Sequence, residues 1–139
     1  MHILDTDALT HLQKGNEKVK ARLESANDYE FAVTIVTKAE ILRGRIEFLL
    51  KAEDSTALEK AQRFFIEREK LLEQIPTIGF DSEALKKFDE FRNNSKFRKI
   101  GRADLLIASI CLSNRAVLVT RNVKHFNQFP NLKVENWID

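Results

Sequence analysis

The run Ala116-Val-Leu-Val-Thr120 constrains this chain more than any other segment. It is apolar at nearly every position instead of alternating, the pattern of a strand covered on both faces, and such strands belong to parallel sheets flanked by helices. Parallel strands need crossover connections of a dozen or more residues, usually helical. The rest of the sequence supplies them. Met1 to Asp5, Phe31 to Val36, Ile75 to Phe80 and Leu132 to Ile138 read as further strands, with Pro76 placing its strand at an edge or at the strand start.

Between the strands lie helices with recognisable ends. Asp7 to Gln13 reads as a short helix stopped at Gly15, and Asn16 can cap a second helix to about Ser25. Thr37-Lys-Ala-Glu40 fits a capping box, opening a helix to about Lys51 with Ala39, Leu42, Ile46 and Leu49 on its apolar stripe. After the break near Asp54-Ser55, Leu58, Ala61, Phe65 and Leu72 mark another amphipathic helix, and the two together read as a helical-hairpin arm. Asp81 suits the N-cap of a helix carrying Leu85, Phe88 and Phe91, and Gly101 precedes a helix whose apolar face holds Ala103, Ile107, Ile110 and Cys111. Strands alternating with helices in this way predict one α/β domain over residues 1–139, with a mostly parallel central sheet between helical layers.

At 139 residues and 43% hydrophobic, the chain can bury a core without disulfides or a structural metal. Its single cysteine, Cys111, reads as a small buried hydrophobe. No basic N-terminal region precedes a long apolar segment and no stretch reaches bilayer-spanning length, so the sequence points to no membrane association and to a reducing cytoplasm.

Three carboxylates carry the chemistry. Asp5 ends the first strand within Asp5-Thr6-Asp7, Glu40 lies one turn beyond the second strand, and Asp104 interrupts the apolar run Ala103 to Leu112. An isolated ionised carboxylate is costly to bury there. In a parallel α/β sheet, functional groups gather at the carboxyl ends of the strands, and a set of acids with few competing His or Cys suits a hard cation such as Mg²⁺ or Mn²⁺. The net charge of +2 is too small to argue for nucleic acid alone. The local distribution says more: Arg92, Lys96, Arg98, Lys99 and Arg102 crowd the approach to Asp104, while Arg121, Lys124 and His125 follow Thr120. Cations beside an acidic pocket suit a phosphodiester substrate. Each acid also has a purely local reading: Asp5 or Asp7 as an N-cap, Glu40 as the capping-box partner, Asp104 as a first-turn residue favoured by the helix dipole.

Five segments carry a resemblance. They are Ile3-Leu-Asp-Thr-Asp7, Thr34-Ile-Val-Thr-Lys-Ala-Glu-Ile-Leu-Arg-Gly44, Ile100-Gly-Arg-Ala-Asp-Leu-Leu-Ile-Ala108, Leu118-Val-Thr-Arg-Asn-Val-Lys-His-Phe126 and Leu132-Lys-Val-Glu-Asn-Trp137. In this order and spacing the chain resembles the PIN-domain ribonucleases, and specifically the VapC toxins of bacterial toxin-antitoxin pairs. The resemblance implies a PIN-like three-layer α/β/α fold and Mg²⁺- or Mn²⁺-dependent cleavage of cellular RNA. Asp5, Glu40 and Asp104 fall on the family's acidic positions, and Thr6 and Thr120 on its hydroxyl positions near the metal. It also implies a small VapB-like antitoxin seated on the arm near Phe48, Leu50, Phe64 and Ile66, and a homodimer. Thr120 would orient a water or a carboxylate, and Lys99, Arg102 and Arg121 would contact phosphates. The chain departs from the pattern twice: Asp7 stands where similar toxins often have Asn or Ser, and Asn122 stands where some PIN domains carry a fourth acid.

Three other readings compete. A strand ending in Asp-x-Asp also opens Mg²⁺-dependent phosphatases of the haloacid-dehalogenase type, but this chain has no late Asp-Asp pair. A P-loop enzyme needs a glycine-rich phosphate loop, and only four glycines occur. A PIN fold that binds RNA or protein with little turnover is the non-enzymatic alternative.

Overall fold

The computed structural model describes residues 1–25 and 30–139. Five strands form one sheet: β1 (His2–Leu4), β2 (Phe31–Thr34), β3 (Thr77–Ile78), β4 (Val117–Val119) and β5 (Lys133–Glu135), in the order β3-β2-β1-β4-β5. Every ladder among them is parallel. The helices are α1 (Thr6–Gln13), α2 (Glu17–Ser25), α3 (Ile35–Leu50), α4 (Ser55–Glu73), α5 (Ser82–Arg92), α6 (Arg102–Ser113) and the short α7 (Val123–Phe126).

Alternation along each strand divides the core between the two faces of the sheet. Ile3, Ala32 and Leu118 face a cluster built on α5 and α6 with Phe97, Ile107, Ile110 and Phe129, whereas Leu4, Val33 and Val119 face Ala8, Leu9, Val19, Ile41 and Leu72 of α1 to α4. The result is the expected three-layer α/β/α sandwich. Pro76 precedes β3 at one edge, as its missing N–H requires, and its carbonyl accepts from Val33 N–H at 3.0 Å.

Helix ends follow the side chains that cap them. Asn16 Oδ1 accepts from the amides of Lys18 and Val19, and Asp81 Oδ1 accepts from Ala84 N–H at 2.8 Å. Gly15 takes the left-handed conformation (φ 79°) that closes α1. Burial pushes the Cys111 thiol up, with the Asp5 charge adding to the shift, so this cysteine is an inert core residue.

Four local expectations need correction. The capping box at Thr37 and Glu40 does not form: Thr34, still in ladder register with Ile78, caps α3 by accepting from Thr37 N–H at 3.0 Å. The helix therefore starts already at Ile35, and its core face carries Thr37 and Ile41, leaving Ala39 and Ile46 exposed. Leu58 and Leu85 are likewise about half exposed, at 48% and 52%, since Ala61 and Ala84 fill the tight helix contacts beside them. The last strand ends at Glu135, after which Trp137 and Ile138 fold onto the α1 to α4 face.

Candidate active site

Strand order places β1 and β4 side by side at the point where the chain reverses direction across the sheet, the position at which α/β folds open a crevice. Leu4 pairs with Val119, so the next residues, Asp5 and Thr120, leave neighbouring strands together. Asp5 N–H donates to the Val119 carbonyl at 3.1 Å. Its side chain then caps α1, with Oδ1 accepting from Ala8 N–H at 2.9 Å.

Thr120 is fully buried, and its hydroxyl oxygen accepts from Asn122 N–H at 3.0 Å. That leaves the hydroxyl proton free for the Asp5 carboxylate, whose charged form the nearby Thr120 hydroxyl favours. Burial raises the Asp5 pKa above the ordinary carboxylate value. The Ala8 amide and the Thr120 hydroxyl pull it back down, the Asp7 charge pushes it up again, and the Asp7 amide lowers it. Asp5 is thus a largely desolvated carboxylate compensated by neutral donors and crowded by a second acid. An oxygen-binding dication suits it.

Asp104 stands in the first turn of α6, where Gly101 gives no side-chain cap. Its Oδ2 lies 2.8 Å from Nε2 of His125 on α7, and both side chains are about one-third exposed or less (33% and 27%). The sequence gives little sign of this role for His125, because a histidine six residues past a strand carries no periodic signal and stands among other basic residues. Glu40 is exposed on α3 and lines, with Ile35, Val36, Arg43 and Arg102, an open groove of about 470 Å³ between α3 and α6.

The structure therefore sets Asp5 near Thr120, joins Asp104 directly to His125, and places Glu40 on a groove that Arg102 also lines. Among the described residues, no three His, Cys, Asp or Glu side chains stand close enough to hold a metal ion between them. The donors are nonetheless all hard oxygens: Asp5 and Glu40 follow the carboxyl ends of β1 and β2, Asp104 opens the helix that leads into β4, and desolvated Asp5 favours a positive charge beside it.

The remaining candidates divide. Thr6 and Asp7 are exposed in the first turn of α1, where only the charge and amide of Asp7 bear on Asp5. Asn122 occupies the N-cap position of α7 without a side-chain capping bond, and what it contributes to the site is its amide to Thr120. Lys99 is exposed, and Arg102 lies 5.5 Å over the Phe88 ring at the mouth of the Glu40 groove. Arg121 is less available than expected: its Nε and Nη2 donate to Asp139 Oδ2 and Oδ1, each at 3.2 Å.

A parallel α/β sheet with a desolvated carboxylate, Asp5, at its switch point defines the class. Residues 3–132 match the PIN domain model, and the chain belongs to the PIN domain family. Ribonuclease VapC1 of Haemophilus influenzae strain R2866 is 30% identical over 142 residues, spanning 99% of this chain and 98% of that protein. Two solved structures share the architecture. VapBC-1 from nontypeable Haemophilus influenzae matches with a TM-score of 0.78 at 23% identity, over 99% of this chain and 98% of its own. VapBC2 from Rickettsia felis, solved bound to a DNA fragment from its promoter, matches with a TM-score of 0.73 at 26% identity, over 98% of both chains.

Proposed function

We propose that this protein is a Mg²⁺- or Mn²⁺-dependent endoribonuclease, a VapC-like toxin held in check by a small VapB-like antitoxin. The observation that carries the proposal is the desolvated Asp5 carboxylate that leaves β1 beside Thr120 of β4 at the switch point of the sheet, within a chain 30% identical to a ribonuclease over 99% of its length.

Asp5, Glu40 and Asp104 are the residues that would hold the cation. Once bound, it would polarise a phosphoryl oxygen and lower the pKa of the attacking water. The protein's own groups do the positioning. The Ala8 amide fixes one oxygen of Asp5, Thr120 directs its hydroxyl at the same carboxylate, and the Asn122 amide fixes Thr120 in turn. His125 orients Asp104 as a ring N–H orients a carboxylate, locking one of its oxygens. Arg102 and Lys99 supply positive charge for the substrate phosphates, with Arg121 available only if it leaves Asp139.

Purified protein should cleave structured RNA with Mg²⁺ or Mn²⁺ and stop in excess chelator; cleavage that persists in chelator overturns the metal requirement. Mapping cut sites in total cellular RNA after induced expression, beside an Asp5→Asn control, would name the substrate. A second reading is an RNA-binding PIN module with little turnover. It is favoured by one observation, that the acids do not stand as a closed cluster among the described residues. Binding without metal-stimulated cleavage would decide for it.

The partner reading rests on the VapBC2 likeness and on the arm residues Phe48, Leu50 and Ile66, whose apolar side chains are exposed on α3 and α4. Co-expression with a small adjacent antitoxin gene should give a complex that suppresses cleavage, and separate purification of the two would refute the assignment. The homodimer is a proposal that the mass of the purified complex in solution checks.

A further inference from the structure

The far part of the arm carries a basic-aromatic cluster that the catalytic reading does not use. Phe48 of α3 and Phe64 of α4 stack across the hairpin with centroids 6.1 Å apart and planes inclined by 15°. Around the Phe64 ring lie Arg45 at 5.3 Å, Lys60 at 5.5 Å and Arg63 at 5.9 Å from its centroid. Arg63 has a distant, solvent-exposed partner in Glu59 at 3.8 Å, a pairing worth little in water. Phe48 remains 43% exposed, which leaves an aromatic surface open to solvent beside the cations.

Near Arg45 lies Arg68, only 5% exposed, whose Nη2 donates to Thr10 Oγ1 at 2.9 Å while, among the described residues, Nε and Nη1 have no hydrogen-bond partner. Arg45 is close enough to pull the Arg68 pKa down, in addition to the larger effect of burial. A guanidinium buried without a carboxylate is unfavourable in the isolated fold. Its field adds to that of the three cations around Phe64. The link to Thr10 also matters for position, because α1 runs from the Asp5 cap to Thr10, a rise of roughly 8 Å at ~1.5 Å per residue. The cluster is thereby tied to the acid crevice through one short helix.

We propose that this cluster is a docking track for single-stranded RNA, with a base stacked on the Phe48–Phe64 surface and backbone phosphates held by Arg45, Lys60 and Arg63, Arg68 reinforcing the field. Stackable aromatics interleaved with cations are the combination that grips single strands irrespective of sequence. The assignment rests on the ribonuclease reading, and it adds a second contact surface for the RNA, outside the acid crevice, that favours an unpaired strand.

The test uses a fluorescein-labelled single-stranded RNA oligonucleotide and full-length protein in chelator, with anisotropy followed across salt concentrations. Lys60→Ala with Arg63→Ala should lower the slope of log affinity against log salt by about 1.4, at ~0.7 for each phosphate of a single strand that is no longer neutralised. Phe48→Ala should weaken binding about 5- to 100-fold at fixed salt. All three side chains are at least partly exposed, so melting temperatures close to wild type establish that the variants fold. Wild-type protein that cleaves RNA while the arm variants bind it unchanged overturns the track and spares the ribonuclease reading. Wild-type protein that neither binds nor cleaves RNA overturns that reading itself. Loss of antitoxin binding with RNA binding intact would make the cluster a protein-docking surface and overturn the proposal.

Discussion

On the proposed function, Asp5 is where stability and activity conflict. It is tied into the backbone as the cap of α1, yet burial and the Asp7 charge raise its pKa against the pull of the Ala8 and Thr120 bonds. A carboxyl whose folded pKa is raised binds its proton more tightly in the folded than in the unfolded chain. Its ionisation therefore costs stability, a cost absent below the ordinary value of 3.8 and complete once pH exceeds the folded pKa. Asp5→Asn keeps a capping oxygen and removes the charge. In chelator, the variant should melt a few degrees above wild type at neutral pH, and the gap should close as pH falls toward 4; thermal melts across pH check this, and a variant that melts lower at neutral pH contradicts it. His125 gives the second prediction at this scale. On the proposed mechanism, in which Asp104 helps hold the cation, His125→Ala should lower metal-dependent cleavage by about 10- to 100-fold while changing the melting temperature little, as expected when the partner that orients a ligand is removed. A variant cleaving at the wild-type rate would return His125 to the surface. Asp5 and Asp104 stood out in the sequence as candidates because one ends and the other interrupts an apolar run, and Glu40 because it lies one turn beyond a strand. His125 was not, because its significance is a 2.8 Å contact between residues 21 apart in the chain.

Among the elements, α3 shows how a sheet overrides a local motif. Two threonines three residues apart, Thr34 and Thr37, both suit an N-cap, and the glutamate three residues after Thr37 completes a capping box on paper. Pairing of β2 with β3 keeps the chain extended through Thr34, so Thr34 becomes the cap and Thr37 enters the helix as a buried residue whose hydroxyl accepts from Thr34 at 3.1 Å. The consequence for the site is direct. Glu40 no longer has a capping role to occupy its carboxylate and projects into the groove shared with Arg102. Thr34→Val, close in shape, removes both bonds and should cost about 1–2 kcal/mol in urea denaturation, whereas Ser at the same position should cost less. Equal losses for the two would show that packing, not the cap, is responsible. Caps whose competitors were absent, at Asn16 and Asp81, were legible in full. The length of the last strand was not, since alternation through Trp137 looks the same whether the chain stays in the sheet or turns onto its face.

For the whole molecule, parallel pairing follows from a few apolar runs, and the crevice follows from parallel pairing. β1 and β4 diverge into different connections at the switch point, so side chains just past their ends can meet without any sequence proximity; Asp5 and Thr120 do so. The layered fold was therefore legible from strand and helix alternation alone. How the acids stand relative to one another was not, because it depends on how α3 and α6 pack against the sheet, and among the described residues they do not form a closed cation cage. On the proposed mechanism, Asp5, Glu40 and Asp104 act as one site on RNA. The most direct measurement is single-turnover cleavage of a labelled RNA by wild type, Asp5→Asn, Glu40→Gln and Asp104→Asn across Mn²⁺ concentrations, with melting temperatures taken alongside. Each folded variant should lose at least about 100-fold in rate or require far more Mn²⁺, and pairwise combinations should lose little beyond the worse single variant, as for residues that work as a unit. Near-wild-type cleavage by any folded single variant, or losses that multiply in the pairs, would contradict it.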